Sequence, residues 1–70
     1  MMDEIRKLGG TLKTLQEKRA ALTDEISAAF QHEDYGHLGT LHMEERRLIE
    51  HISTTRRMLG DAVIAWMEQS

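Results

Sequence analysis

The sequence predicts an all-α protein: an antiparallel two-helix hairpin, coiled-coil-like, that dimerises into a four-helix bundle. Three observations predict it. Apolar residues recur in two ladders whose steps alternate between three and four residues, the a/d rhythm of helices wound on helices. A single short polar segment separates the ladders. Proline is absent from all 70 residues, so neither ladder has to break. The chain reads as one helical-hairpin domain, 1–70.

The first ladder is Ile5, Leu8, Leu12, Leu15, Arg19, Leu22, Ile26 and Ala29. It predicts helix one over about 3–32. Asp3 suits its start, since a carboxylate there caps free N–H groups and complements the helix dipole. Gly9 and Gly10 interrupt the helix-forming composition, at about 1 kcal/mol each against alanine. The ladder keeps its phase across them, because Leu8 to Leu12 is a step of four. A continuous but weakened helix follows.

The polar stretch from Gln31 to His37 ends the first ladder, and the loop is expected at about 33–37. Either Asp34 is the N-cap of helix two or Gly36 is the C-cap of helix one. The second ladder is Leu38, Leu41, Glu45, Leu48, Ile52, Thr55, Leu59, Ala62 and Trp66, predicting helix two over about 38–68. Two helices of similar length joined by a short loop fold back antiparallel. Leu22 then lies near Leu48, and Leu15 near Ile52 or Thr55.

A chain this short is marginal alone and usually needs disulfides, a metal or oligomerisation. Cysteine is absent, so disulfides and thiolate metal sites are excluded. Oligomerisation is the remaining common route. With 12 acidic and 9 basic residues the net charge is −3, unlike a general nucleic-acid or anionic-membrane binder. No apolar run approaches the ~20 residues that span a bilayer. The opening residues lack the basic-then-apolar layout of a secretory signal, which makes the cytoplasm the default location.

Helix two carries more apolar surface than a two-helix seam uses. Beside its ladder, Ile49, Val63 and Met67 occupy a neighbouring line, with His42 and Arg56 between them. Helix one adds Phe30. A stripe this wide suits a helix packed by two neighbours. The residues expected to form a protein-binding or dimer surface are therefore Ile49, Val63, Trp66, Met67 and Phe30. Trp66 has two readings: it closes the open end over Ile5 and Leu8, or it contacts a partner. Arg19 and Glu45 are misfits in core positions, where polar residues set register or oligomeric state. They are expected to fix pairing specificity, either between chains or by reaching out of the seam. Thr55 is a milder misfit that can bond a backbone carbonyl.

Four histidines, His32, His37, His42 and His51, raise a metal site. Bundle-borne sites use Glu-x-x-His pairs from facing helices, and the chain has none. No nucleophile motif or phosphate-binding glycine loop is present, so neither a catalytic function nor a cofactor is expected. The basic pairs Arg46-Arg47 and Arg56-Arg57 are the candidate nucleic-acid contacts. Their length and setting resemble plasmid copy-control, Rop-like hairpin dimers, and that resemblance implies RNA or DNA binding. Glu44, Glu45 and Glu50 lie among those arginines, so ordinary salt-bridging along the helix competes with that reading.

From Leu22 to Ile52 the chain resembles flagellar export chaperones. The carriers are Glu33-Asp34-Tyr35 in a small turn, then Leu38, Leu41, Glu45-Arg46 and Leu48. The resemblance covers under half of the chain and implies an export-type chaperone that covers a partner protein. Size, acidity and spare apolar stripe also fit the small helical inhibitors, encoded by phages or plasmids, that dock on a host regulator. The sequence thus points to a non-enzymatic interaction module that binds and occludes a partner protein. The alternatives are a structural dimerisation or assembly module and a Rop-like nucleic-acid-binding dimer.

Overall fold

The computed structural model describes residues 2–69. Two helices account for nearly all of them: α1, Met2–Gln31, and α2, Tyr35–Gln69. They pack against each other along their length as a hairpin, with no strand among the described residues. The shape is a rod of 55 × 15 × 11 Å. At 1.5 Å per residue, α2 alone accounts for that length. The radius of gyration is 16.1 Å, against about 11 Å for a compact chain of this size.

Helix α1 runs through Gly9 and Gly10 without a break, as the unbroken phase requires. It starts at Met2, so Asp3 and Glu4 lie inside the first turn, where their charge faces the positive end of the dipole. Asp3 is therefore not the expected cap.

The turn is shorter than the sequence suggests, because one residue serves both helices. The Asp34 N–H donates to the Ala29 carbonyl at 3.0 Å, and the Glu33 N–H to Phe30 at 3.1 Å. This pair of bonds is a Schellman closure of α1. Asp34 Oδ1 then accepts from the His37 N–H at 3.2 Å, which makes Asp34 the N-cap of α2. Helix α2 thus begins at Tyr35, three residues before the expected Leu38. The C-cap is not Gly36, which lies in the first turn of α2. Glu33 takes the left-handed position instead, with φ 57°.

Burial follows the two ladders. Leu15, Leu22, Ala29, Leu41, Ile52 and Thr55 are buried. Leu22, Ala29 and Leu41 form a cluster with Ile26, Leu38 and Leu48 against it, which places Leu22 by Leu48 as the register requires. The buried Thr55 hydroxyl donates to the His51 carbonyl at 2.8 Å, the expected backbone solution. Among the described residues no buried side-chain polar atom lacks a hydrogen-bond partner.

Arg19 departs from its ladder. Every other rung of the first ladder is buried or half-buried, and Arg19 is exposed. A long aliphatic stem lets the guanidinium reach water from a seam position. Glu45 stays half-buried and finds its partner on its own helix: His42 Nδ1 lies 3.7 Å from Glu45 Oε1. His42 itself is 59% exposed and does not sit near the core.

Candidate association surface

A two-helix rod has one seam and therefore two flanks. Taking Ile5 and Leu38 as heptad position a, the seam is a and d, one flank is lined by e positions and the other by g positions. In an antiparallel pair, g residues of one helix meet g residues of the other, and e meets e. The grooves between the helices follow this rule. Lys18, a g residue of α1, lines grooves with Glu44 and His51, g residues of α2. Arg47 joins this side. The g flank is thus polar and mixed in charge.

The e flank is different. From the turn outward it presents Phe30, Thr23, Gln16, Gly9 and Met2 on α1, with Tyr35, His42, Ile49, Arg56 and Val63 on α2. Phe30 is 65% exposed, Tyr35 64% and Ile49 39%, and Val63 is half-buried. Beside this line His42, Met43, Glu45, Arg46, Ile49 and Glu50 line an open hollow on the outer side of α2.

The sequence-predicted surface residues therefore fall in two places. Phe30, Ile49 and Val63 share the e flank. Trp66 occupies the last a position at the open end and is 39% exposed. Met67 lies at a b position just beyond the e line. Its surface is largely exposed too. The expected specificity pair is not brought together: Arg19 is exposed on α1, and Glu45 is engaged by His42. Tyr35 and Met2 belong to the same flank and were missed. The signal for them was present, since both stand a multiple of seven residues from a recognised member, Tyr35 from Ile49 and Met2 from Phe30.

Arg46 and Arg57, 11 residues apart on one continuous helix, share a face of α2 with Glu50 between them, and Arg56 lies on the adjacent e line. Arg46 lines the outer hollow beside Glu45 and Glu50, and Arg47 lies on the opposite groove beside Glu44. Arg56 is on the e flank, and Arg57 is on the f line just outside it. Among the described residues no arginine lies within 4.0 Å of a carboxylate, so the expected salt-bridging along the helix is not formed. Nor do three or more histidine or acidic side chains converge as a metal site would require, among the described residues. Among the described residues no helix is long and apolar enough to cross a membrane.

Surface area measures what the rod leaves open. The chain exposes 5471 Å². A folded monomer of its 8.1 kDa mass ordinarily exposes about 4500 Å². The surplus is roughly 1000 Å², and each partner in a standard protein interface buries about 800 Å². Comparison with known proteins adds nothing to this geometry: no family model, no curated protein and no solved structure matches the chain.

Proposed function

We propose that this chain is a non-enzymatic interaction module that binds another protein and occludes a helical or apolar surface on it. The observation that carries the reading is the e flank: an apolar line is left uncovered in a molecule that otherwise follows its heptad pattern. A helix or a bundle edge is the natural occupant of such a groove, read through anchors spaced one or two turns apart. Phe30, Ile49 and Val63 are the anchors proposed here, with Trp66 and Met67 at the open end. On the turn side Phe30 and Ile49 are presented by helices that already pack, which limits the entropy lost on binding.

The mechanism is occlusion. A partner covered along a face tens of ångströms long cannot use that face for its own assembly or regulation. The small inhibitor and the export-type chaperone are two settings for this one mechanism.

Capture from cell extract tests it. The tagged wild-type chain is expected to retain a specific protein, and Val63→Asp, still helical by circular dichroism, is expected to lose it. Equal retention by both would remove the e flank from the reading. Capture of nucleic acid instead, weakening steeply with salt and lost on Arg46→Ala with Arg57→Ala, would replace it with the nucleic-acid function.

A further inference from the structure

We infer that the e flank is the face on which two copies of this chain pair, antiparallel, into a four-helix bundle with a two-fold axis crossing the rod between Gln16 and Ile49. The inference goes beyond the reading above: it gives the flank to a second copy, which a partner protein would have to displace, and rests on that reading only for the premise that this flank is an association surface. Four observations carry it.

The first is area. The rod as a whole exposes roughly 1000 Å² more than a compact chain of its mass, which is enough surface to supply one partner's share of a stable interface.

The second is residue order. An isologous interface has to be complementary to itself. Along α2 the e line reads Tyr35, His42, Ile49, Arg56, Val63: apolar, basic type, apolar, basic, apolar. Along α1 it reads Met2, Gly9, Gln16, Thr23, Phe30: apolar, small, polar, small, apolar. Both lines are palindromic in residue class, about Ile49 and about Gln16. Those centres lie at nearly the same height, because Leu15 and Lys18 share a groove with Leu48 and His51.

The third is the geometry that the palindrome permits. A two-fold axis perpendicular to the rod sets α2 against the second α2 and α1 against the second α1. Ile49 meets its own copy, Tyr35 meets Val63 and Met2 meets Phe30; His42 meets Arg56, the one pairing of two basic types, so the apolar rungs carry the contact. The glutamines at position 16 meet as an amide pair. An axis along the rod would place α1 against α2, and neither palindrome would then serve a purpose.

The fourth is charge. None of the 12 acidic residues falls on an e or b position of either helix, whereas Arg6, Lys13, Arg46 and Arg56 all do. The b positions rim the e flank, and f positions lie just outside them. In the antiparallel dimer the rim of each helix meets its own copy in reverse order. Arg6 then faces Asp24, Lys13 faces Glu17 and Arg46 faces Glu50 of the second copy, all at f positions. Three of the four, Arg6, Lys13 and Arg46, gain an acidic neighbour, which sets the pairing and orientation of the rods more than the affinity.

The absence of cysteine from the chain makes cross-linking clean. Multi-angle light scattering at micromolar concentration is expected to give twice the chain mass. Ile49→Cys alone is expected to oxidise to a covalent dimer. Tyr35→Cys and Val63→Cys are each expected to stay single, and to cross-link when mixed. Ile49→Asp is expected to be monomeric, with Met58→Asp on the g flank remaining dimeric. A monomer mass for the wild type overturns the inference, as does efficient cross-linking of Tyr35→Cys to itself. The cysteine variants keep the test valid even where Ile49→Asp unfolds. A monomer that still captures a protein would end the dimer and leave the occlusion reading standing. A cross-linked dimer that captures nothing would do the reverse.

Discussion

The turn-side half of this rod and its open half are built to different standards. Every buried residue lies between Leu15 and Thr55, and the tightest, Leu41 and Ile52, are each only 2% exposed. The turn adds a Schellman closure and a capping carboxylate within three residues. Toward the open end Ile5, Leu8, Leu12, Leu59 and Ala62 are only half-buried, although the ladders continue unchanged. Gly9, Gly10 and Gly60 all lie in this half, and an added Cβ at any of them would meet nothing within 4 Å. The same pattern therefore yields a packed core at one end and a loose seam at the other. Heptad pattern selects which side of a helix turns inward. Side-chain volume and helix rigidity decide how completely that side is sealed.

Truncation in the two halves sharpens the contrast most. Leu41→Ala is expected to cost about 2–5 kcal/mol, the range for a buried leucine. Leu59→Ala, half-buried, is expected to cost about 1 kcal/mol. Urea unfolding at matched protein concentration measures both, and equal losses would break the comparison. Filling the open end acts in the other direction. Gly9→Ala with Gly10→Ala is expected to stabilise by about 1 kcal/mol per site, since each lies in a helix interior with free space around it. A loss on that double substitution would mean the glycines are needed for close approach.

The turn supplies two smaller effects. Asp34→Ala removes the cap of α2 and is expected to cost about 1 kcal/mol. Glu33→Gly places the residue that tolerates a left-handed backbone at φ 57°, and is expected to stabilise by about 0.5 kcal/mol. Thermal unfolding resolves the sign of each. A destabilised Glu33→Gly would show that the glutamate side chain contributes to the turn beyond its backbone.

These elements also show what was legible from sequence. The hairpin and the uninterrupted α1 followed from spacing, because burial tracks the ladders at every rung but Arg19 and Trp66. The turn was harder to place. Glycine at Gly36 advertises a C-cap, but the left-handed position is held by Glu33, a residue with no such signature. Once Asp34 had ended one helix and started the next, no room was left for the longer loop. Arg19 and Glu45 look alike as polar intrusions into apolar ladders, yet one leaves the seam and the other stays half-buried beside His42. Stem length and a histidine three residues away separate them. The apolar flank was legible in part. Ile49 and Val63 were visible beside a long ladder, whereas the exclusion of carboxylates from the e and b lines emerges only when both helices are placed in one frame.

The central claim is that the exposed e flank is an association face and that the open half of the rod is completed by what covers it. Native-state amide hydrogen exchange across a range of protein concentration tests this most directly, since protection reports local opening and a dimer adds concentration dependence. Protection in residues 2–12 and 59–69 is predicted to rise with concentration through the micromolar range, with residues 15–55 protected throughout. Protection that is uniform along the rod and unchanged by concentration would contradict it.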